Sequence, residues 1–356
     1  MYDLFITTNG PGEIATWVTP LVREIKKQRD DIRISLFILP CRFATGSEEV
    51  IALEIKEIDF VFPAKDFMKR LMVLPFKPSK KGVVMYLGGD LFLGVLLKKR
   101  FGFKAIAYTE GMKSFKGQYN KFFTREEDGD LMFSYFDHYY EDMVVTKALS
   151  GEKNIVFFPG SRAQQFKLLF PLLQKVVPLI DKKYQCVFSV SPFISDKLVN
   201  SLIENKNLIK YYRNKSYELM KSAHLAVTIP GTNNIQLAYL NIPALVIFPF
   251  NCPEVVHFKG LTGALLNLPI LKTVGKRMVL HLLNKRVPYT SLLNRKENKM
   301  IYPELRGDLA ENMIADSISA LLANNEHMNT IISDLKKLNK ESYVLSKIVN
   351  TINGYL

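Results

Sequence analysis

From its first residues the chain alternates short unbroken apolar runs with stretches whose apolar residues recur every three or four positions. Tyr2–Thr8 is such a run, closed by Asn9-Gly10-Pro11-Gly12. Behind the turn, Ile14, Val18, Leu21, Val22 and Ile25 fall on one face of a helix. The run returns at Ile32–Leu39, Asp59–Phe62, Val83–Leu87 and Lys104–Thr109. A second series opens at Asn154–Phe158, closed by Pro159-Gly160, and continues with apolar runs at Gln185–Ser191, Leu208–Tyr211, His224–Ile229 and Ala244–Phe248. Helical spacing fills most of the gaps. Strands that are apolar throughout are buried on both faces, which predicts parallel sheets with helices on each side. The pattern divides into 1–150, 151–325 and a helical segment 326–356, expected to pack back on the first half. The first half is expected to end near Thr146–Gly151.

Composition narrows this picture. With 356 residues, 48% of them apolar, there is material for two cores. A net charge of +14 favours polyanionic partners: an anionic membrane face, a phosphate-bearing substrate or nucleic acid. Cys41, Cys186 and Cys252 form no CxxC pair and the five histidines are scattered, so neither a disulfide scaffold nor a metal site is expected. The start has no basic region ahead of an apolar core, so no leader is expected. The longest apolar stretch, Val83 to Leu97, is interrupted by Asp90 and falls short of the roughly 20 apolar residues of a membrane span. These features predict a cytoplasmic protein, peripheral at the inner face of the cell membrane.

Candidate chemistry gathers at the ends of the apolar runs. In the second half, Gly160, Ser161 and Arg162 follow one predicted strand and Gly231, Thr232, Asn233 and Gln236 follow another. Each group opens a helix, where backbone N–H groups favour an anion, and Arg162 can grip phosphate oxygens. Thr232 is placed to cap its helix or to touch a phosphate. In the first half, the carboxylates Glu13, Asp90 and Glu110 sit at strand ends or helix starts. Asp90 follows Gly88-Gly89 and is flanked by Leu91, Phe92 and Leu93, which are expected to limit its hydration and make it a better base, with Glu13 in reserve. Asn9, Gly10, Gly12 and Glu110 are candidate acceptor contacts. Asp128-Gly129-Asp130 reads as a solvated turn, and no metal is expected there. Between Phe62 and Gly82, Phe67, Lys69, Arg70, Phe76 and Lys77 mix aromatic and basic groups suited to an anionic bilayer. No OB or RRM pattern accompanies them, so nucleic acid is not an expected partner.

One resemblance goes further. Pro159-Gly160-Ser161-Arg162, the stretch Tyr217 to Val227, Gly231-Thr232 and Asn241-Ile242-Pro243-Ala244-Leu245-Val246-Ile247 resemble the nucleotide-binding segment of GT-B glycosyltransferases, and most of all lipid A disaccharide synthase. The similarity runs over roughly residues 154–340 and is weaker in the first half, where Asn9-Gly10-Pro11-Gly12-Glu13 replaces the family's Gly-Glu-Ala-Ser-Gly-Asp opening. Leu87-Gly88-Gly89-Asp90 still occupies the place of the family's functional aspartate, and Gln236 stands where the family has a ribose-binding glutamate.

The resemblance implies an α/β chain on the GT-B plan, two doubly wound Rossmann-like domains facing a central cleft. It further implies inverting transfer from a UDP-sugar donor to a lipid-linked acceptor, with no cofactor. A homodimer stays open. Two rival readings are a UDP-N-acetylglucosamine 2-epimerase-like isomerase and a non-catalytic nucleotide-sugar or lipid-binding relative.

Overall fold

The structure, a computed structural model, describes residues 1–40, 48–111, 114–133, 153–203, 205, 209–250, 287–338 and 342–356. The expected boundary at Thr146–Gly151 lies outside them. The chain forms two compact units, Met1–Asp142 with Lys340–Leu356, and Met143–Asn339.

Unit 1 carries β1 (Tyr2–Thr8), β2 (Ile32–Ile38), β3 (Phe60–Phe62), β4 (Gly82–Tyr86), β5 (Lys104–Thr109) and β6 (Lys121–Thr124). They form one parallel sheet in the order β3-β2-β1-β4-β5-β6. Its helices are α1 (Thr19–Gln28), α2 (Glu48–Leu53), α3 (Phe67–Met72), α4 (Leu91–Phe101) and α5 (Arg125–Asp128), together with the last helix, Val344–Tyr355. Alternate residues of β1 feed two cores: Leu4 and Ile6 pack with α1 and the last helix, and Phe5 packs with Phe67 of α3 and Val95 of α4. That double burial is why the strands read as unbroken apolar runs. The last helix buries Val344, Leu345, Ile348, Val349 and Ile352 along one stripe. Each such side chain stabilises by about 1.5–3 kcal/mol. Helix Asn325–Lys336 belongs to the other unit, so the segment expected as a single tail divides between the two.

A buried ion pair ties the far end of this sheet to the segment before β4. Asp3 is fully buried, takes Arg33 Nε at 2.7 Å and Nη2 at 3.1 Å, and accepts from the N–H of Ser79 at 2.6 Å. The Arg33 guanidinium lies 3.6 Å from the ring centroid of Phe76.

Unit 2 repeats the design with β7 (Asn154–Phe158), β8 (Gln185–Val190), β9 (Lys210–Arg213), β10 (Ala223–Thr228), β11 (Ala244–Pro249) and β12 (Glu304–Gly307). The parallel order is β12-β11-β10-β7-β8-β9, the same path as in unit 1. Its helices are α6 (Ala163–Val176), α7 (Asp196–Leu202), α8 (Ser216–Ser222), α9 (Thr232–Tyr239), α10 (Leu292–Glu297), α11 (Glu311–Ala323) and α12 (Asn325–Lys336).

Glu304 joins β12 to the start of α10. Its carboxylate accepts from the N–H of Thr290 (2.8 Å) and Ser291 (3.0 Å) and from Asn294 Nδ2 (2.8 Å), and pairs with Arg306. Burial pushes the Glu304 carboxyl up, but the hydrogen bonds from Thr290, Ser291 and Asn294 outweigh it and hold the pKa below the ordinary 4.5. A depressed folded-state value contributes stability above the unfolded pKa, and that contribution is lost as pH falls through the folded one. Glu304→Gln is therefore expected to lower the urea midpoint at neutral pH and to narrow its gap from wild type on acidification to about pH 3. A gap that stays constant across that range would remove Glu304 from the acid response.

Candidate functional site

In a doubly wound sheet, ligands bind beyond the carboxyl ends of the strands where the winding reverses. In unit 1 the reversal lies between β1 and β4, and in unit 2 between β7 and β10. The candidate residues chosen from sequence cluster at these two places.

Beyond β1 the chain turns through Asn9 and Gly10 and enters a helical stretch at Pro11 that passes through a π turn, Ile14–Val18, before α1. The wider turn is marked by Thr19 Oγ1 donating to the Ile14 carbonyl five residues back, at 2.8 Å. Such π turns recur at functional sites. Glu13 is half-buried and fills space that two glycines leave. A Cβ on Gly10 would stand 2.5 Å from Glu13 Oε2, and one on Gly88 would stand 3.3 Å from Glu13 Cγ and 3.1 Å from Asn9 Oδ1. The turn after β1 and the turn after β4 are thus fitted around this carboxylate. Among the described residues, the Glu13 side chain has neither a hydrogen bond nor an ion pair.

Asp90 differs from expectation. It is exposed, and its Oδ1 accepts the N–H of Phe92 at 2.9 Å as the N-cap of α4. The expected shielding by Leu91, Phe92 and Leu93 does not occur, because helix geometry turns Leu91 into the core and leaves Phe92 outside with the cap. Glu110, also exposed, follows β5 and lies 3.6 Å from Arg125 Nη1. The three carboxylates share one neighbour, Tyr86, whose hydroxyl donates to the Gly89 carbonyl at 2.8 Å. Burial first, then the negative charges of Glu13, Asp90 and Glu110, push the Tyr86 phenol well above its ordinary pKa. It stays a neutral donor.

Sequence reasoning missed Arg125 and misread its partner. Asp130, expected in a solvated turn, is buried, with its Oδ2 3.0 Å from Arg125 Nε. Asp128 Oδ2 accepts the N–H of Thr124 at the start of α5. Burial works against the Arg125 charge, yet Asp130, Tyr108 and Glu110 together outweigh it and the guanidinium pKa is raised. Arg125 also lies 5.6 Å from the Trp17 ring, which meets Tyr108 edge-on at 5.1 Å. Fixed from below by Asp130, Arg125 reaches up to Glu110.

In unit 2, Gly160 follows β7 with φ +103, and a Cβ there would meet Gln165 Oε1 at 2.9 Å and Ile229 Cδ1 at 3.2 Å. Conformation and space both select glycine. Ser161 and Arg162 are half-buried where α6 begins. On the other side, Gly231 precedes α9 in an extended conformation, and among the described residues only the Ile229 carbonyl oxygen, at 3.9 Å, lies near a would-be Cβ. Thr232 does not cap this helix as expected. Asn234 holds the turn instead, its Oδ1 taking the N–H groups of Gly231 (3.4 Å) and Leu292 (3.3 Å) and its Nδ2 bonding the Ile229 carbonyl (3.0 Å). Thr232 and Asn233 remain half-buried at the helix start. Gln236 is buried and its Nε2 donates to the Tyr217 hydroxyl at 3.2 Å. The first N–H groups of α6 and α9 lack partners within their own helices, and the two starts flank one reversal point.

The predicted membrane face is rearranged. Phe67 is buried against Phe37 and Phe76 is half-buried against Phe60 under Arg33, so neither is available to a bilayer. Arg70 lies over the Phe62 ring at 5.2 Å. Lys69 and Lys77 are exposed, and the outward apolar groups are Met68, Met72 and Val73. No helix among the described residues is long and apolar enough to cross a membrane.

Comparison with known proteins finds the same fold elsewhere. Solved structures with the same fold include UDP-GlcNAc 2-epimerase from Neisseria meningitidis bound to UDP-GlcNAc, 13% identical, covering 99% of this chain and 100% of that one, with a TM-score of 0.56. The spinosyn rhamnosyltransferase SpnG is another, 8% identical over 99% of this chain and 100% of that one, with a TM-score of 0.53. At such identities the likeness is one of fold. Among curated proteins, the lipid-A-disaccharide synthase of Geobacter sulfurreducens is 22% identical over 174 residues, 48% of this chain and 38% of that protein. The aligned stretch is therefore well under two thirds of that relative's length. The family model for lipid-A-disaccharide synthetase matches residues 135–349, more than half of the sequence. By that match, the chain belongs to the lipid-A-disaccharide synthetase family.

Proposed function

We propose that this protein is an inverting glycosyltransferase that moves a sugar from a UDP-sugar to a lipid-linked acceptor. The observation that carries the reading is the reversal point of unit 2. There Gly160, Ser161 and Arg162 at the start of α6 flank the same reversal point as the start of α9, inside the family-matched region. Two helix N-termini and a guanidinium suit a diphosphate, and a solved structure of the same fold holds UDP-GlcNAc. In the reaction a carboxylate takes the proton of the acceptor hydroxyl, whose oxygen attacks the anomeric carbon. The bond to UDP breaks, and the charge left on the diphosphate is met by Arg162 and the helix starts.

Unit 1 supplies the base and the acceptor contacts in this reading. We place Glu13 ahead of Asp90, because the Glu13 side chain is half-buried and has no partner among the described residues while Asp90 is exposed and engaged as a cap. Asn9, Gly10, Gly12 and Glu110 remain the proposed acceptor contacts. Lys69 and Lys77, beside Met68, Met72 and Val73, are proposed to meet an anionic membrane.

Arg162→Ala is expected to weaken UDP binding by about 1.5–3 kcal/mol, roughly 10- to 150-fold in Kd. Gln236→Glu is expected to keep or strengthen UDP-sugar binding, since a carboxylate can still accept from Tyr217 while gaining charge assistance toward a ribose. UDP titrations decide both, and wild-type affinity in Arg162→Ala would remove the diphosphate from this turn. Incubation with UDP-GlcNAc alone separates transfer from isomerisation, because an epimerase needs no acceptor.

A further inference from the structure

Two aromatic rings stand outside both cores of unit 1. Phe92, in the first turn of α4, is 46% exposed, and its N–H is the one held by Asp90. Phe115, 47% exposed, lies beyond β5, with its ring centroid 6.0 Å from that of Phe92 and the planes tilted by 40°. Phe115 has φ 57 and ψ 17, in the left-handed region that a bulky side chain rarely adopts. The backbone there carries strain and the ring it carries faces water, so the fold itself gains little from either. Strain of this kind concentrates at binding sites.

The surroundings indicate what would cover the rings. Phe92 is two residues from Asp90 and Phe115 five from Glu110, and both carboxylates act on the same buried Tyr86. Aromatic faces beside a few placed carboxylates are the makings of a site for a ligand with one apolar face and a rim of hydroxyls. A pyranose has that character, with its C–H face on a ring and its hydroxyls donating to carboxylates. An anionic bilayer would be repelled by Asp90 and Glu110, and an acyl chain would leave them desolvated without donors. We propose that Phe92 and Phe115 form a sugar-stacking subsite that takes the pyranose ring of the acceptor. The assignment to the acceptor rests on reading unit 1 as the acceptor half.

The test is saturation-transfer NMR on the full chain with methyl β-D-glucopyranoside and N-acetylglucosamine. Saturation is expected on one C–H face of the sugar. Phe92→Leu and Phe115→Leu, which keep apolar bulk without a ring, are expected to weaken binding roughly tenfold each, and the Tyr substitutions to retain it. Unchanged melting of these exposed-site variants confirms folding. Sugar binding indifferent to Leu, or absent in wild type, overturns the subsite. So does loss of flotation with phosphatidylglycerol vesicles in the Leu variants while sugar binding persists, which would make the pair a bilayer anchor. Ring-dependent sugar binding in a protein that transfers no sugar would uphold the subsite and defeat the transferase reading instead.

Discussion

Glu13→Gln is expected to lower sugar transfer about 100- to 10,000-fold while UDP still binds, as when a general base is removed. The amide keeps the shape of the side chain that the turns at Gly10 and Gly88 enclose, so the loss is one of proton acceptance. Asp90→Asn provides the contrast. Asn caps helices about as well as Asp, so α4 should keep its start, and transfer should fall far less than in Glu13→Gln, by no more than the loss of one charged acceptor for a sugar hydroxyl. Rates for both variants under saturating donor, with UDP affinity measured in parallel, decide between the carboxylates. A collapse in Asp90→Asn with a near-normal Glu13→Gln would return the base role to Asp90.

The largest effect on stability is expected from Asp130→Ala. It strips the buried partner from Arg125, and a guanidinium does not find relief by deprotonation. Breaking a buried pair from one side costs about 3–5 kcal/mol, because the remaining charge is left without compensation. For a unit of this size that is a fall in Tm of about 6–20 °C. The double variant Arg125→Met/Asp130→Leu should recover much of the loss, since the penalty lies in the unpaired charge. Calorimetry on the three proteins checks this, and a double variant as unstable as Asp130→Ala would show that packing, not charge, sets the cost. Glu110 adds a functional readout, because without Arg125 its position at the crevice is no longer fixed.

Much of the fold was legible along the chain. Runs such as Val83–Leu87 and Asn154–Phe158 are apolar on both faces, and only a covered parallel sheet buries both. The edge strands β6 and β12 went unread: four residues such as Glu304–Gly307, all only partly buried, carry no period to detect. Glycine and proline turns marked the strand ends correctly as places for chemistry, because winding order puts those ends at the reversal points.

The sequence by itself therefore determined the two doubly wound units, the family, and the short turns at Asn9–Glu13, Gly88–Asp90, Gly160–Arg162 and Gly231–Gln236, all of which follow from local pattern. Tertiary structure alone decided which of the polar residues at those turns are free. Asp90 is taken by its own helix, Asn234 rather than Thr232 holds the start of α9, and Gln236 leans on Tyr217, nineteen residues away. Asp130, in an acidic stretch that reads as solvated, is buried because β6 delivers Arg125 beside it. Phe67, read from the sequence as a membrane contact, sinks into the core. Burial depends on what distant strands bring to the same place, and no window along the chain contains that information.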